Sequence, residues 1–170
     1  MKEQEFTRTV LPLRDRMFRY AQSLLLSRDE AEDAVHDLLE RLWRDRDRLD
    51  GCRSVASFVM TSVRNACYDH LRSLRARSQR DETVKTHAER VSTDAVDGWE
   101  ARDLVRRAMA QLPQRQREAL HLKEIEGYPT REIAQLLSTD EAQVRTILSR
   151  ARCAMREILK RMTDDDTKRD

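Results

Sequence analysis

Residues 130–152 read TREIAQLLSTDEAQVRTILSRAR, and the rhythm of this stretch decides the fold. Ile133, Ala134 and Leu137 fall on one face of a short helix; Val144, Ile147 and Leu148 fall on one face of a second. Spacings of three and four residues are those of an amphipathic helix. Between the two, Ser138-Thr139-Asp140 interrupts the rhythm over the length of a tight turn, and Ala134 is small where paired helices must approach. Ser138, with Glu141 three residues on, predicts a capping box that opens the second helix. Residues 142–161 carry six Lys or Arg against one Glu. A helix that buries one face and shows cations on the other suits a phosphate-lined groove. The stretch therefore predicts a helix-turn-helix. An ordinary amphipathic hairpin with a solvated basic face would share this pattern, so the remaining residues must separate the two.

The chain has 170 residues, 38% of them charged and 39% apolar, which disfavours one large core. Two helical units of about 70 residues fit better, each burying only about 60% of its unfolded surface. The three Gly and three Pro all lie at the edges of periodic segments. With no sustained alternation, this predicts an all-α chain. The net charge of +2 is uninformative, but its distribution is not. Residues 29–40 hold six acids and no Lys or Arg; residues 53–80 hold six Arg and the single acid Asp69. One acidic helix and two basic ones imply separate partners. Cys52, Cys67 and Cys153 are odd in number and widely spaced, with no disulfide framework. The opening MKEQEFTRTV lacks an apolar signal core, and no run reaches the roughly 18 apolar residues of a span, so a cytoplasmic protein is expected.

Along the chain, a first helix is predicted from residue 6 or 13 to 26. A second, following Ser27, carries the stripe Ala31, Ala34, Val35, Leu38, Leu39, Leu42 and Trp43, and ends at Leu49-Asp50-Gly51. A third spans about 54–74, with Val55, Phe58, Val59, Val63, Ala66, Leu71 and Leu74 as core candidates. The domain expectation is therefore a helical unit over 1–74, a flexible linker over 75–98 and a helix-turn-helix unit over 99–162. A disordered tail over 163–170 completes it. Within the second unit, helices are predicted at about 99–111 and 113–125, with Pro113 in a first turn. Gly127-Tyr128-Pro129 acts as the stop, and Thr130 as the next cap.

These residues resemble a known family, the extracytoplasmic-function group of the sigma-70 RNA polymerase sigma factors. DEAEDAVHDLLERLWRDRDRLD, followed by SVASFVMTSVRNACYDHLRS, is similar to the family's region 2. AMAQLPQRQREALHLKEIEGYPTREIAQLLSTDEAQVRTILSRARCAMREIL is similar to region 4. A helix-turn-helix alone is weakly specific; both blocks in this order form a strong joint signal. The chain departs from the family at Ser138, where Gly is usual, at Phe58 for Trp, at Ser62 for a branched apolar residue, and at Gln143 for Thr.

The resemblance implies three tasks. The first is docking on core polymerase, through the clamp helices of the largest subunit and the flap of the second largest. Asp33, Asp37, Leu38, Glu40, Arg41 and Trp43 are the expected contacts. The carboxylates Asp33, Asp37 and Glu40 recur at helical spacing, and carboxylates bond Arg-rich surfaces strongly; a solvated acidic face is the bland alternative. The second task is capture of the −10 element as a single strand. Thr61, Arg64, Asn65, Tyr68 and Arg72 lie on the third helix, and the preceding loop from Leu49 to Ser54, with Cys52, Arg53 and Ser54, is expected to line the base pocket. Arg64 and Arg72 suit phosphates, Tyr68 suits base stacking, and the Asn65 amide suits a base edge because it both donates and accepts. The third is duplex reading at −35 by Arg145, Thr146, Ser149 and Arg150, with Arg131 and Arg152 assigned to the backbone. Neutralising about five phosphates would give a log–log salt slope near about −4.5. In relatives an anti-sigma factor covers both units, often tethered at the inner membrane; nothing in the residues specifies one here.

The rival from another class is a one-component helix-turn-helix regulator acting without polymerase. It requires a sensor or dimerisation unit in residues 1–98, and no pocket signature or heptad seam is visible there. Enzymatic readings fare worse. Cys67-x-x-His70 is a single pair without a third ligand, and neither a Gly-rich phosphate loop nor a nucleophile elbow occurs. No catalytic residue, metal site, cofactor or small-molecule substrate is expected.

Overall fold

The computed structural model describes residues 1–80 and 100–168, all helical or connecting. The chain divides into two compact units, Met1–Arg90 and Val91–Asp170. This is the all-α architecture of two small helical units expected from the periodicity.

The first unit begins with α1 (Glu3–Thr9), a 3-10 turn (Leu11–Leu13), and α2 (Arg14–Leu25). The single first helix expected from residue 6 is thus split. Pro12 lacks an N–H and sits at the start of the 3-10 turn, where a new helix begins rather than an old one continues. Leu26 closes α2 in the left-handed region at φ 54°, and its N–H reaches Gln22 O at 2.9 Å. Next comes α3 (Arg28–Arg44), whose N-cap Ser27 accepts from the Glu30 N–H at 3.3 Å. It holds the whole apolar stripe but stops before the expected end at Leu49-Asp50-Gly51, giving way to a 3-10 turn (Arg46–Gly51) before α4 (Val55–Arg80). Helix α4 outruns its expected end at residue 74, so residues 75–80 of the expected linker are helical; the rest of that linker lies outside the described residues.

Helices α2, α3 and α4 pack together around Met17, Tyr20, Leu24, Ala31, Val35, Leu42, Val59, Met60, Val63 and Cys67. Two expected core residues do not join them. Phe58 is 41% exposed and Trp43 is 38% exposed. Both lie at the margin of their stripes, where a helix of 3.6 residues per turn rotates a side chain out of the interface. Trp43 instead meets the Phe6 ring edge-on, with centroids 5.2 Å apart, and stacks under the Arg46 guanidinium at 4.8 Å. The ammonium of Met1 lies 2.7 Å from Asp50 Oδ2, and that carboxylate raises its pKa above the ordinary value.

The second unit holds α5 (Glu100–Ala110), α6 (Gln114–Leu120), a π turn (His121–Ile125), α7 (Thr130–Leu136) and α8 (Glu141–Thr167). Helix α8 is the spine: α5, α6 and α7 all pack on it. Its buried side is Val144, Leu148, Ala151, Met155 and Ile158. Part of the expected disordered tail, 163–167, continues this helix, because each further residue of an established helix adds one hydrogen bond at little nucleation cost. Capping also differs from expectation. Pro113 and Pro129 occupy the N-cap positions of α6 and α7, so Thr130 is the first helical residue and caps nothing.

The turn between α7 and α8 revises the expected capping box. Ser138 N–H bonds Gln135 O at 3.3 Å and Thr139 N–H bonds Ala134 O at 2.9 Å, which is a Schellman closure of α7. Ser138 sits at its left-handed position, φ 51°, where Gly is usual. It is the end of α7, not the start of α8. Asp140 is the N-cap, its Oδ1 accepting from the Gln143 N–H at 2.7 Å.

Candidate nucleic-acid interface

Because Val144, Leu148 and Ala151 are buried and Ile147 is half-buried, the helical period turns Arg145, Thr146, Ser149, Arg150 and Arg152 outward. All five are exposed, and so is Arg131 on α7. The six residues expected at −35 are therefore available to a groove. Their surroundings differ. Arg131 and Arg150 have no ion-pair partner among the described residues. Arg145 Nη2 comes only to 4.0 Å of Glu141, one turn back. Arg152 Nη2 donates to Glu124 Oε1 at 2.7 Å, across 28 residues of sequence. The Thr146 hydroxyl donates to Ala142 O at 3.1 Å.

On the first unit, the polar side of α4 starts at Ser54, whose Oγ accepts from the Ser57 N–H at 3.2 Å. Ser54 thus caps the helix, a structural duty added to its expected place in the base-reading loop. Cys52 Sγ is 3.6 Å from Arg48 O, and Arg53 is exposed. Further along, the Thr61 hydroxyl donates to Ser57 O at 2.9 Å. The Arg64 guanidinium stacks over the Tyr68 ring, 4.3 Å from its centroid. Arg72 is hydrogen-bonded to Asp69 three residues earlier. One ring face of Tyr68 is therefore already occupied by a cation, and Arg72 already has an anion.

Asn65 is exposed and turns to the other side of the stripe, where it lines a pocket of about 240 Å³ between α3, the 3-10 turn and α4. Arg48, Leu49, Phe58, Ser62 and Asp69 complete much of the wall. Of the loop expected to form a base pocket, only Leu49 contributes; Cys52, Arg53 and Ser54 do not line it. The sequence reading missed Arg48 and Asp69 here. Asp69 stands one helical turn after Asn65, a spacing that would have found it.

The acidic helix α3 shows Asp33, Asp37, Glu40, Arg41 and Trp43 at the surface, while Leu38 is 6% exposed and belongs to the wall of the pocket rather than to the outer face. Glu40 pairs with His36 at 3.3 Å, whereas Asp33 and Asp37 have no ion-pair partner among the described residues. Among the described residues no three His, Cys, Asp or Glu side chains gather as a metal site, and no helix is long and apolar enough to cross a membrane.

The interior of the second unit holds charge that the sequence reading did not anticipate. Arg117, Glu118 and His121 are buried. Arg117 Nη1 donates to Leu112 O at 3.0 Å, and His121 Nε2 lies 3.3 Å from Glu126 Oε1. Of these, the His121–Glu126 contact spans the π turn that carries Glu124.

Comparison with known proteins now adds to this geometry. Residues 10–77 match the family described as Sigma-70 region 2, and residues 102–155 match Sigma-70, region 4. Over 148 residues the chain is 30% identical to the ECF RNA polymerase sigma factor SigL of Mycobacterium tuberculosis, covering 86% of this chain and 84% of the relative. The chain belongs to the extracytoplasmic-function group of the sigma-70 family. As a sigma factor it binds RNA polymerase and reads promoter DNA, and it is not an enzyme. It is also 28% identical over 144 residues to the ECF RNA polymerase sigma factor SigM of the same organism, with 84% and 71% of the two chains covered. Among solved structures, the sigma factor RpoE from Bartonella quintana, in complex with the anti-sigma factor NepR, shares the fold. Its TM-score is 0.74 at 24% identity, over 92% of this chain and 98% of that one. The PhyRSL–NepR complex of Sphingomonas sp. Fr1 gives 0.60 at 20% identity, over 89% and 87%.

Proposed function

We propose that this sigma factor divides promoter recognition between its two units and docks through α3. Arg145, Thr146, Ser149 and Arg150 read the −35 duplex, with Arg131 and Arg152 on the backbone. The observation that carries this is the two-faced α8: an apolar side held in the core and a cationic side open to solvent, opened by a capped turn. Phosphate contacts set position, while Arg bidentate to guanine and hydroxyls to base edges set sequence.

At −10, the pocket beside Asn65 is the receptacle for one extruded base. An amide at its wall both donates and accepts, and Phe58 supplies an apolar surface. Arg64, Tyr68, Arg72 and Thr61 hold the strand alongside, with Cys52, Arg53 and Ser54 at its edge. Stacking on Tyr68 requires the ring face opposite Arg64 or displacement of Arg64, so base capture and phosphate grip are coupled at this pair.

The row Asp33, Asp37 and Glu40, with Arg41 and Trp43 beside it, docks on the clamp helices of the largest polymerase subunit, and the second unit docks on the flap of the second largest. Leu38 supports this face from beneath. An anti-sigma factor is a further partner, by extension from the Bartonella quintana relative solved with one.

Run-off transcription with core polymerase on a promoter library tests the whole assignment. Asn65→Ala is expected to impair opening while sparing core binding. Arg150→Ala is expected to weaken duplex recognition. If both variants transcribe like the parent chain, these site assignments are wrong.

A further inference from the structure

We propose that Glu124 is a built-in counter-ion for Arg152 that holds the grip of α8 on phosphate below its full strength. The inference rests on the reading of the exposed α8 face as a duplex-binding surface. Among the cations of that face, Arg152 alone has a close carboxylate from another element among the described residues: Nη2 to Glu124 Oε1 is 2.7 Å. Arg145 has only a same-helix contact at 4.0 Å.

Glu124 is delivered by a firmly held segment. In the π turn, His121 and Leu122 are buried, and His121 faces Glu126 inside the core. Just after it, Gly127 at φ 72° lets the Tyr128 N–H return to Leu122 O at 2.9 Å. A carboxylate fixed in this way meets Arg152 at a high effective concentration, against which a DNA phosphate must compete from solution. The pair is open to water, with side-chain exposures of 49% and 54%, so it is weak enough to exchange. Competition of this strength restrains without blocking. It lowers indiscriminate backbone binding by the free sigma factor, and it is overcome once polymerase presents the duplex. Glu124 thus acts on phosphate binding through Arg152, by occupying its guanidinium.

The opposite reading, in which Glu124 orients Arg152 toward phosphate, makes the opposite prediction. The experiment is fluorescence anisotropy of the full chain with a labelled mixed-sequence duplex, titrated over about 50–200 mM KCl. Freeing one cation for phosphate steepens the log–log salt slope by about 0.9. Glu124→Gln is therefore expected to bind more tightly at low salt, with its advantage over the parent chain shrinking about threefold across that range. In an Arg152→Gln background the same substitution is expected to give no such advantage. An unchanged slope, weaker binding by Glu124→Gln, or an advantage that survives the loss of Arg152 overturns the proposal. Arg150→Ala is run alongside. If it weakens binding while Glu124→Gln is silent, the counter-ion role alone falls; if it too is silent, the duplex-binding reading fails and takes this proposal with it.

Discussion

Removing the Asp140 carboxylate is expected to loosen the second unit, whereas replacing Ser138 by Gly is expected to tighten it. In Asp140→Ala the Gln143 N–H loses its 2.7 Å acceptor, leaving a helix-terminal donor to water. Loss of such a cap costs about 1 kcal/mol, within a range of roughly 0.5–2. Ser138 is held at φ 51°, where an L-residue is disfavoured by about 1–2 kcal/mol. Gly removes that penalty but has more freedom to lose on folding, by roughly 0.5–1 kcal/mol. The net gain is about 0.5–1 kcal/mol. Ser138→Ala keeps the penalty and removes no cap, so it should be near neutral. A whole-chain melt would blend two units, so amide hydrogen exchange within α8 is the suitable assay, with α4 amides as internal reference. Each kcal/mol changes protection about fivefold. The reasoning fails if Ser138→Ala costs as much as Asp140→Ala, or if Ser138→Gly lowers protection in α8. The first result would restore Ser138 as the cap.

Three further outcomes are expected. Reversing charge at Asp33 and Asp37, both to Lys, should leave the first unit's stability within about 0.5 kcal/mol, because both are exposed, yet reduce affinity for core polymerase at least about tenfold in a competition assay against a labelled sigma factor. Ser62→Ile places apolar atoms in the pocket beside Asn65. It should stabilise the first unit by about 1 kcal/mol in hydrogen exchange of α4, at roughly 0.8 kcal/mol per methylene buried, while suppressing promoter opening read by 2-aminopurine fluorescence. Glu126→Ala removes the carboxylate 3.3 Å from the buried His121 ring and should cost the second unit about 1–3 kcal/mol, measured by the same exchange experiment on α8.

Much of this arrangement was legible in the residues. The stripe Ala31, Val35, Leu38 and Leu42 reads directly as the buried side of α3, and Val144 and Leu148 as that of α8, because helical period and burial are local and repetitive. What depends on a neighbouring element was not legible. Phe58 and Trp43 are as apolar as core residues, and whether a side chain at the margin of its stripe is covered depends on the helix beside it. Asp140 and Ser138 both belong to residue types found at N-caps, so the cap is decided by where the Schellman closure of α7 ends. The burial of Arg117, Glu118 and His121 required knowing that a carbonyl at Leu112 and the carboxylate of Glu126 would meet them. For the residues proposed to face DNA, outward placement followed from the period, but not every partner did. Glu124 against Arg152 is a contact that no spacing rule assigns in advance, whereas Arg64 over Tyr68 and Asp69 at Arg72 are four- and three-residue helical pairs.

The hydroxyl of Thr146 hands its only proton to the Ala142 carbonyl. If it faces a base edge as proposed, what remains to offer is the oxygen's lone pairs and a methyl group. Such a residue welcomes the exocyclic amine of adenine or cytosine, or rests against the thymine methyl, and it has nothing to offer guanine O6. Under the proposed reading of α8, a promoter alphabet would be narrowed by the way one side chain satisfies its own helix.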